Sequence, residues 1–135
     1  MEYLDQIKRD EGLRLHPYTC TAGKLTIGYG RNLDEVGITE QEAHILLTED
    51  IKNARKDAQS FASIEVWPRL SPTRQAVLIN MAFNLGLPKL RMFKRFHNYL
   101  TKGRFDLASV EMLDSHWATQ VGFRATRLAD AMRQG

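Results

Sequence analysis

Residues 9–33, RDEGLRLHPYTCTAGKLTIGYGRNL, decide the fold, because the texture of the chain changes within them. Before this stretch, Tyr3, Leu4 and Ile7 fall on one face of a helix, and Gly12 supplies the residue that ends a helix in a left-handed cap. After Gly12, Pro17 and the glycines Gly23, Gly28 and Gly30 punctuate short runs holding Tyr18, Leu25, Thr26, Ile27 and Tyr29. That alternation predicts a small antiparallel sheet of three strands near residues 13–19, 24–28 and 31–34.

Helical grammar returns at Thr39. Thr39 and Glu42 have the spacing of a capping box, so a helix is expected to run from there to about Phe61, with a break near Thr48. Leu47, Ile51, Ala54, Ala58 and Phe61 share its apolar face. Trp67-Pro68 interrupts, and Ser71-Pro72 places an N-cap before a proline suited to the first helical position. Val77, Leu78, Ile79, Met81, Ala82, Phe83 and Leu85 then leave little polar face, as expected of a central helix ended by Gly86 and Pro88. Met92, Phe93, Phe96, Tyr99 and Leu100 predict one amphipathic helix over 89–101, with Lys89, Arg91, Lys94 and Arg95 outside. A helix from about Asp106 to Leu113, a turn at His116-Trp117 and a last helix carrying Ala125, Leu128, Ala129 and Met132 follow.

The fold class is therefore α+β and mostly helical, with a small sheet in the N-terminal part. The chain of 135 residues suits one domain of two lobes, a sheet-containing one over about 13–60 and a helical one over about 61–135 joined by the N-terminal helix. Such a length buries roughly two thirds of the unfolded surface and needs no staples. A single cysteine, Cys20, excludes an intrachain disulfide, and His16, His44, His97 and His116 lack a metal-binding spacing, so no metal or cofactor is expected. The apolar run at 77–85 contains Asn80 and Asn84 and is too short to span a membrane. Nineteen Lys plus Arg against sixteen Asp plus Glu, a net +3, favours anionic polymers or surfaces. Lys89, Arg91, Lys94, Arg95, Lys102 and Arg104 raise nucleic-acid binding as a possibility, but the apolar half of that segment is needed for a core. Its basic half is better suited to anionic envelope polymer or phosphate.

Glu11 is the first candidate for chemistry. It closes the first helix beside Asp10, where the helix end and the neighbouring carboxylate both favour the protonated form, and a protonated carboxyl can serve as general acid. On position alone a solvated surface glutamate reads the same.

Residues 9–33, RQAVLINMAFNLG at 74–86, and W-x-x-Q-x-x-x-R-A-x-R from Trp117 to Arg127 together resemble the phage-type lysozymes, glycoside hydrolase family 24. The resemblance implies a sheet-containing lobe and a helical lobe, and hydrolysis of the β-1,4 bond between N-acetylmuramic acid and N-acetylglucosamine in peptidoglycan. It implies Glu11 as general acid and Thr26 as the threonine that positions the attacking water. The family's usual aspartate, separated by eight residues from the glutamate and by five from the threonine, is replaced by Cys20, as it is in a recurring variant of the family. An ordinary thiol ionises near 8.5, and a charged Glu11 nearby would raise that, so a mostly neutral thiol is expected at pH 7. Water-positioning group, covalent nucleophile and bystander all stay open for Cys20.

Arg124 matches the arginine that orients the catalytic glutamate, and Arg31 by analogy pairs with Asp50. Phe83 and Asn84 match an aromatic followed by an amide that contact substrate, although Asn84 can equally cap its helix. Trp117 lies in the helical motif and is expected to be packing, whereas Trp67 is open. The absence of an export segment, together with the resemblance, implies an endolysin held in the host cytoplasm until a separate holin releases it to the periplasm and wall. It is expected to act as a monomer on glycan strands, without stable membrane insertion and without nucleic acid. A lytic transglycosylase and a catalytically weakened peptidoglycan-binding protein are the alternatives, and retention of both Glu11 and Thr26 favours hydrolysis.

Overall fold

The computed structural model describes residues 2–135 as eight helices, one 3-10 turn and a three-stranded antiparallel sheet. Two compact units emerge, Met1–Leu46 and Leu47–Gly135.

In the first unit, helix α1 (Glu2–Glu11) stops at Gly12, whose φ of +72° and N–H to the Lys8 carbonyl at 3.0 Å form the left-handed cap the sequence predicts. Strands β1 (Arg14–Thr19), β2 (Leu25–Gly28) and β3 (Arg31–Asn32) pair in chain order. Tyr18 faces Thr26 across the first pair, and Thr26 faces Asn32 and Ile27 faces Arg31 across the second. The loop after β3 is tied back by side chains: the Leu25 N–H donates to Asp34 at 2.7 Å and the Glu35 N–H to Asn32 at 3.0 Å.

The helix after that loop begins with the expected capping box. The Thr39 N–H donates to Glu42 Oε1 at 2.9 Å, and the Glu42 N–H donates to Thr39 Oγ1 at 3.1 Å. The same Glu42 carboxylate grips Arg31 at both oxygens, 2.7 Å each. Arg31 therefore pairs with Glu42, in place of the Asp50 expected by analogy. The planar guanidinium matches the carboxylate fork, and Glu42 is held at a fixed height by its own cap. Helix α2 (Glu40–Ala62) continues through Thr48 without the expected break, since one β-branched residue costs a helix only a few tenths of a kcal/mol.

The core of the second unit is built from the expected periodicities. Ser71 caps α3 (Pro72–Leu85) by accepting from the Arg74 N–H, and Val77, Leu78, Met81 and Ala82 are buried. Phe83 turns outward, 43% exposed, so α3 is not buried all round. The predicted single helix over 89–101 is two: α4 (Leu87–Leu90) and α5 (Lys94–Thr101). Between them the Phe93 N–H bonds the Leu90 carbonyl and the Lys94 N–H bonds the Met92 carbonyl, a turn that interrupts the helical ladder. Helix α6 (Phe105–Leu113) packs on α5 and on α8 (Phe123–Gln134), while His116–Val121, expected as a turn, is helix α7 with Ser115 as its N-cap. Trp67 and Trp117 are both buried in this core. Arg74 ties α3 to α8: Nε donates to the Met132 carbonyl at 2.7 Å, Nη2 to that of Arg133 at 2.9 Å, and the guanidinium lies over the Phe105 ring.

Arg31 and its cap bonds lower the Glu42 carboxyl from 4.5 to about 2. A carboxyl depressed on folding contributes stability above its unfolded value, and that contribution fades as pH falls toward the folded one. Glu42→Gln, which keeps a capping oxygen, should therefore lower the melting temperature at neutral pH. The deficit should shrink below about pH 5 and vanish near pH 2. Thermal unfolding across that range checks it.

Candidate active site

The T-I-G-Y-G segment is built around left-handed glycines. Gly28 ends β2 at φ +71°, and Gly30, at φ +96°, precedes β3. A β-carbon at Gly30 would stand 3.3 Å from Glu11 Oε2. The turn thus presents bare backbone to the Glu11 carboxylate: the positive φ calls for glycine, and a β-carbon there would be a tight neighbour that the exposed carboxylate would have to yield to by a few tenths of an ångström.

Thr26, in the middle of β2, is 4% exposed. Its hydroxyl donates to the Lys24 carbonyl at 2.9 Å, which aims the oxygen lone pairs elsewhere. Cys20 follows β1, and the antiparallel register brings it to the same end of the sheet as Thr26. Its N–H bonds the Lys24 carbonyl at 2.9 Å, and its own carbonyl accepts from Gly23, closing a tight turn over 20–24. The thiol is half-buried and unbridged. Hydrogen bonds from the Lys24 backbone, the Thr26 side chain and the Ala22 backbone stabilise its thiolate and hold it below the ordinary thiol value, against a smaller opposing effect of burial. The direction is opposite to the one expected from Glu11 alone, because these neighbours are donors in direct contact.

The remaining candidates belong to the second unit and converge on α3. Asn80 and Asn84, one turn apart on one face, each hold a residue of the C-terminal motif. Arg124 Nε donates to Asn80 Oδ1 at 2.9 Å, and Trp117 Nε1 donates to Asn84 Oδ1 at 2.7 Å. Trp117 is a packing residue, as expected, and stands edge-on to Phe93. Asn84 does not cap its helix; its side-chain oxygen serves the indole, which leaves the amide N–H groups of this exposed residue to donate elsewhere. Asn80 was missed as a positioning residue, although its signal was present: two amides at i and i+4 in an otherwise apolar helix. No group of three or more His, Cys, Asp or Glu among the described residues could hold a metal ion, and no helix among them is long and apolar enough to cross a membrane.

The α+β fold, a small glycine-punctuated antiparallel sheet followed by helices, is consistent with glycoside hydrolases of the lysozyme type. The profile of the family described as Phage lysozyme matches residues 8–130, and the chain belongs to that family. It is 29% identical to the pre-baseplate central spike protein Gp5 of Enterobacteria phage T4 over 95% of its own length, although it spans only 27% of Gp5. It is 27% identical to the probable T4-type lysozyme 1 of Dictyostelium discoideum over 97% of this chain and 93% of that one. With the endolysin of Acyrthosiphon pisum secondary endosymbiont phage 1 it shares 34% identity over 60% of this chain and 55% of that one.

Two outcomes test this geometry. Ultraviolet titration should show the Cys20 thiolate forming below the ordinary thiol range, and Thr26→Val should move the midpoint upward by removing one donor. Asn84→Ala should leave the buried Trp117 N–H without an acceptor and cost about 1–3 kcal/mol in denaturant unfolding, with the slope unchanged.

Proposed function

We propose that the chain is a muramidase of the endolysin type, hydrolysing the β-1,4 bond between N-acetylmuramic acid and N-acetylglucosamine. In this reading Glu11 is the general acid, and Thr26 and Cys20 position the attacking water. The adjacency of the Thr26 hydroxyl and the Cys20 thiol carries the reading, for it supplies a buried acceptor and a titratable base side by side on the sheet. Protonated Glu11 gives its hydrogen to the glycosidic oxygen as the C–O bond breaks. A water held through one hydrogen on Thr26 Oγ1 attacks the anomeric carbon from the opposite face and inverts its configuration. Its other proton passes to the Cys20 thiolate, or to solvent when the thiol is neutral. A covalent Cys20 adduct would instead retain configuration.

Arg124, which is held by Asn80, is proposed as the orienting cation of the reaction, and Phe83 and Asn84 as sugar-binding residues. The amide of Asn84 is a donor suited to the carbonyl of an acetamido group. Phe83, 43% exposed on the same helix, offers an apolar face to a sugar ring. We further propose that the protein acts as a monomer on peptidoglycan strands. Release from the host cytoplasm to the periplasm would depend on a separate holin.

Mass spectrometry of fragments from purified peptidoglycan tests the reaction. Reducing N-acetylmuramic acid ends are expected, reduced about 10²–10⁴-fold in Glu11→Gln. Anhydro ends would mean transglycosylation, and binding without fragments would mean a site that has lost its chemistry. Hydrolysis should rise with pH as Cys20 ionises until Glu11 loses its proton, and Cys20→Ser should lack the rise. Identical pH profiles would remove the thiolate from the mechanism.

A further inference from the structure

Far along the chain from the residues of the proposed reaction, a cleft of about 400 Å³ in the second unit is lined by Ser60, Phe61, Ser63, Arg91, Lys94 and His97. It contains no carboxylate, and among the described residues neither Arg91 nor Lys94 is ion-paired. The hydrogen bonds already made leave the cleft rich in donors. Arg91 Nη2 donates to Ser60 Oγ at 2.9 Å, and the Val66 N–H donates to Ser63 Oγ at 3.3 Å. Both serine oxygens thus act as acceptors inside the protein, and each keeps an O–H to donate. The His97 ring is fixed edge-on against Phe61, with centroids 5.0 Å apart. Phe93, at the N-cap of α5, gives no side-chain acceptor, so the positive end of that helix adds to the same field.

Ser63 is the one non-glycine with positive φ among the described residues, at +89°. Glycine would sit at this helix end without strain, and serine keeps a hydroxyl in the cleft. Guanidinium, ammonium, imidazole and two hydroxyls around a space free of carboxylates suit a tetrahedral oxyanion that only accepts hydrogen bonds.

What lies beside the cleft identifies its carrier. Ser60 and Ser63 also line a neighbouring hollow with Ile64, and Ile64 is 90% exposed. Met92, next to Arg91, is 75% exposed. A free phosphate has no use for uncovered aliphatic side chains at its margin. A membrane lipid does, because its phosphate lies at the level of basic residues while apolar side chains enter the boundary below. We propose that Ser60, Ser63, Arg91, Lys94 and His97 bind the phosphate of an anionic membrane lipid, with Ile64 entering the headgroup layer. The site is peripheral, inserts no helix, and is independent of the proposed reaction.

Co-sedimentation with phosphatidylcholine vesicles, with and without phosphatidylglycerol, tests the proposal on the whole chain. The native protein should bind only the anionic vesicles. Arg91→Ala with Lys94→Ala should bind at least about tenfold more weakly, whereas Lys56→Ala with Lys102→Ala, an equal loss of charge outside the cleft, should change binding less than about threefold. Lys94→Gln alone, at an exposed position, gives the same test if the double variant does not fold. Inorganic phosphate should shift the amide resonances of residues 60–63 and 91–97 in the native protein. Ile64→Ser should weaken vesicle binding and leave those phosphate shifts in place. Absence of both vesicle binding and phosphate shifts, or equal loss in both double variants, would overturn the site. Vesicle binding indifferent to Ile64→Ser would overturn the part given to Ile64, and phosphate shifts without vesicle binding would overturn the lipid and leave a site for free phosphate.

Discussion

The first unit depends on the bare backbone at Gly30. Its left-handed conformation lets β3 follow β2 after a tight turn, and its missing β-carbon leaves the space that Glu11 Oε2 borders. Any side chain there would strain the turn and crowd the carboxylate. With the turn in place, β3 pairs with β2 so that Arg31 stands opposite Ile27, and Arg31 closes on Glu42. Glu42 in turn completes the cap of α2. One glycine therefore couples the acid, the sheet register and the start of the long helix.

The second unit has a comparable centre in the two amides of α3. Apolar neighbours bury the helix, and Asn80 and Asn84 use one face of it to hold Arg124 and Trp117 from the C-terminal helices. A residue that only packs, Trp117, consequently sets the orientation of an amide proposed to meet substrate. The direction of that amide follows from chemistry, since an indole N–H can only donate and must face the amide oxygen.

Local signals made much of this legible. Thr39 with Glu42, Ser71 with Pro72, and Gly12 after an acidic helix end each satisfy orphan backbone groups within a few residues, so their geometry is written in short spacing. The three strands were marked by their glycines for the same reason. The partner of Arg31 was not legible from analogy, because Glu42 and Asp50 are both acidic residues of one helix and only the capping bond to Thr39 distinguishes them. The division of α4 from α5 escaped periodicity because the apolar spacing persists through the turn, where only backbone bonding changes. Thr26 and Cys20 could be nominated from the resemblance, but their contact depends on strand register, and the lowered thiol depends on backbone donors that no spacing displays.

In the proposed reaction, a cysteine in place of an aspartate changes when a water-activating base is present. An aspartate is ionised across the neutral range, so an enzyme using it needs only that the general acid keep its proton. With Cys20 the proposed reaction needs two opposite conditions: Glu11 protonated, favoured by low pH, and the thiol ionised, favoured by high pH. Donation from Lys24, Thr26 and Ala22 lowers the thiol and so makes that base available at lower pH. In the proposed reaction Thr26 has two parts: its oxygen accepts from the water, and its side chain helps to hold the thiol low.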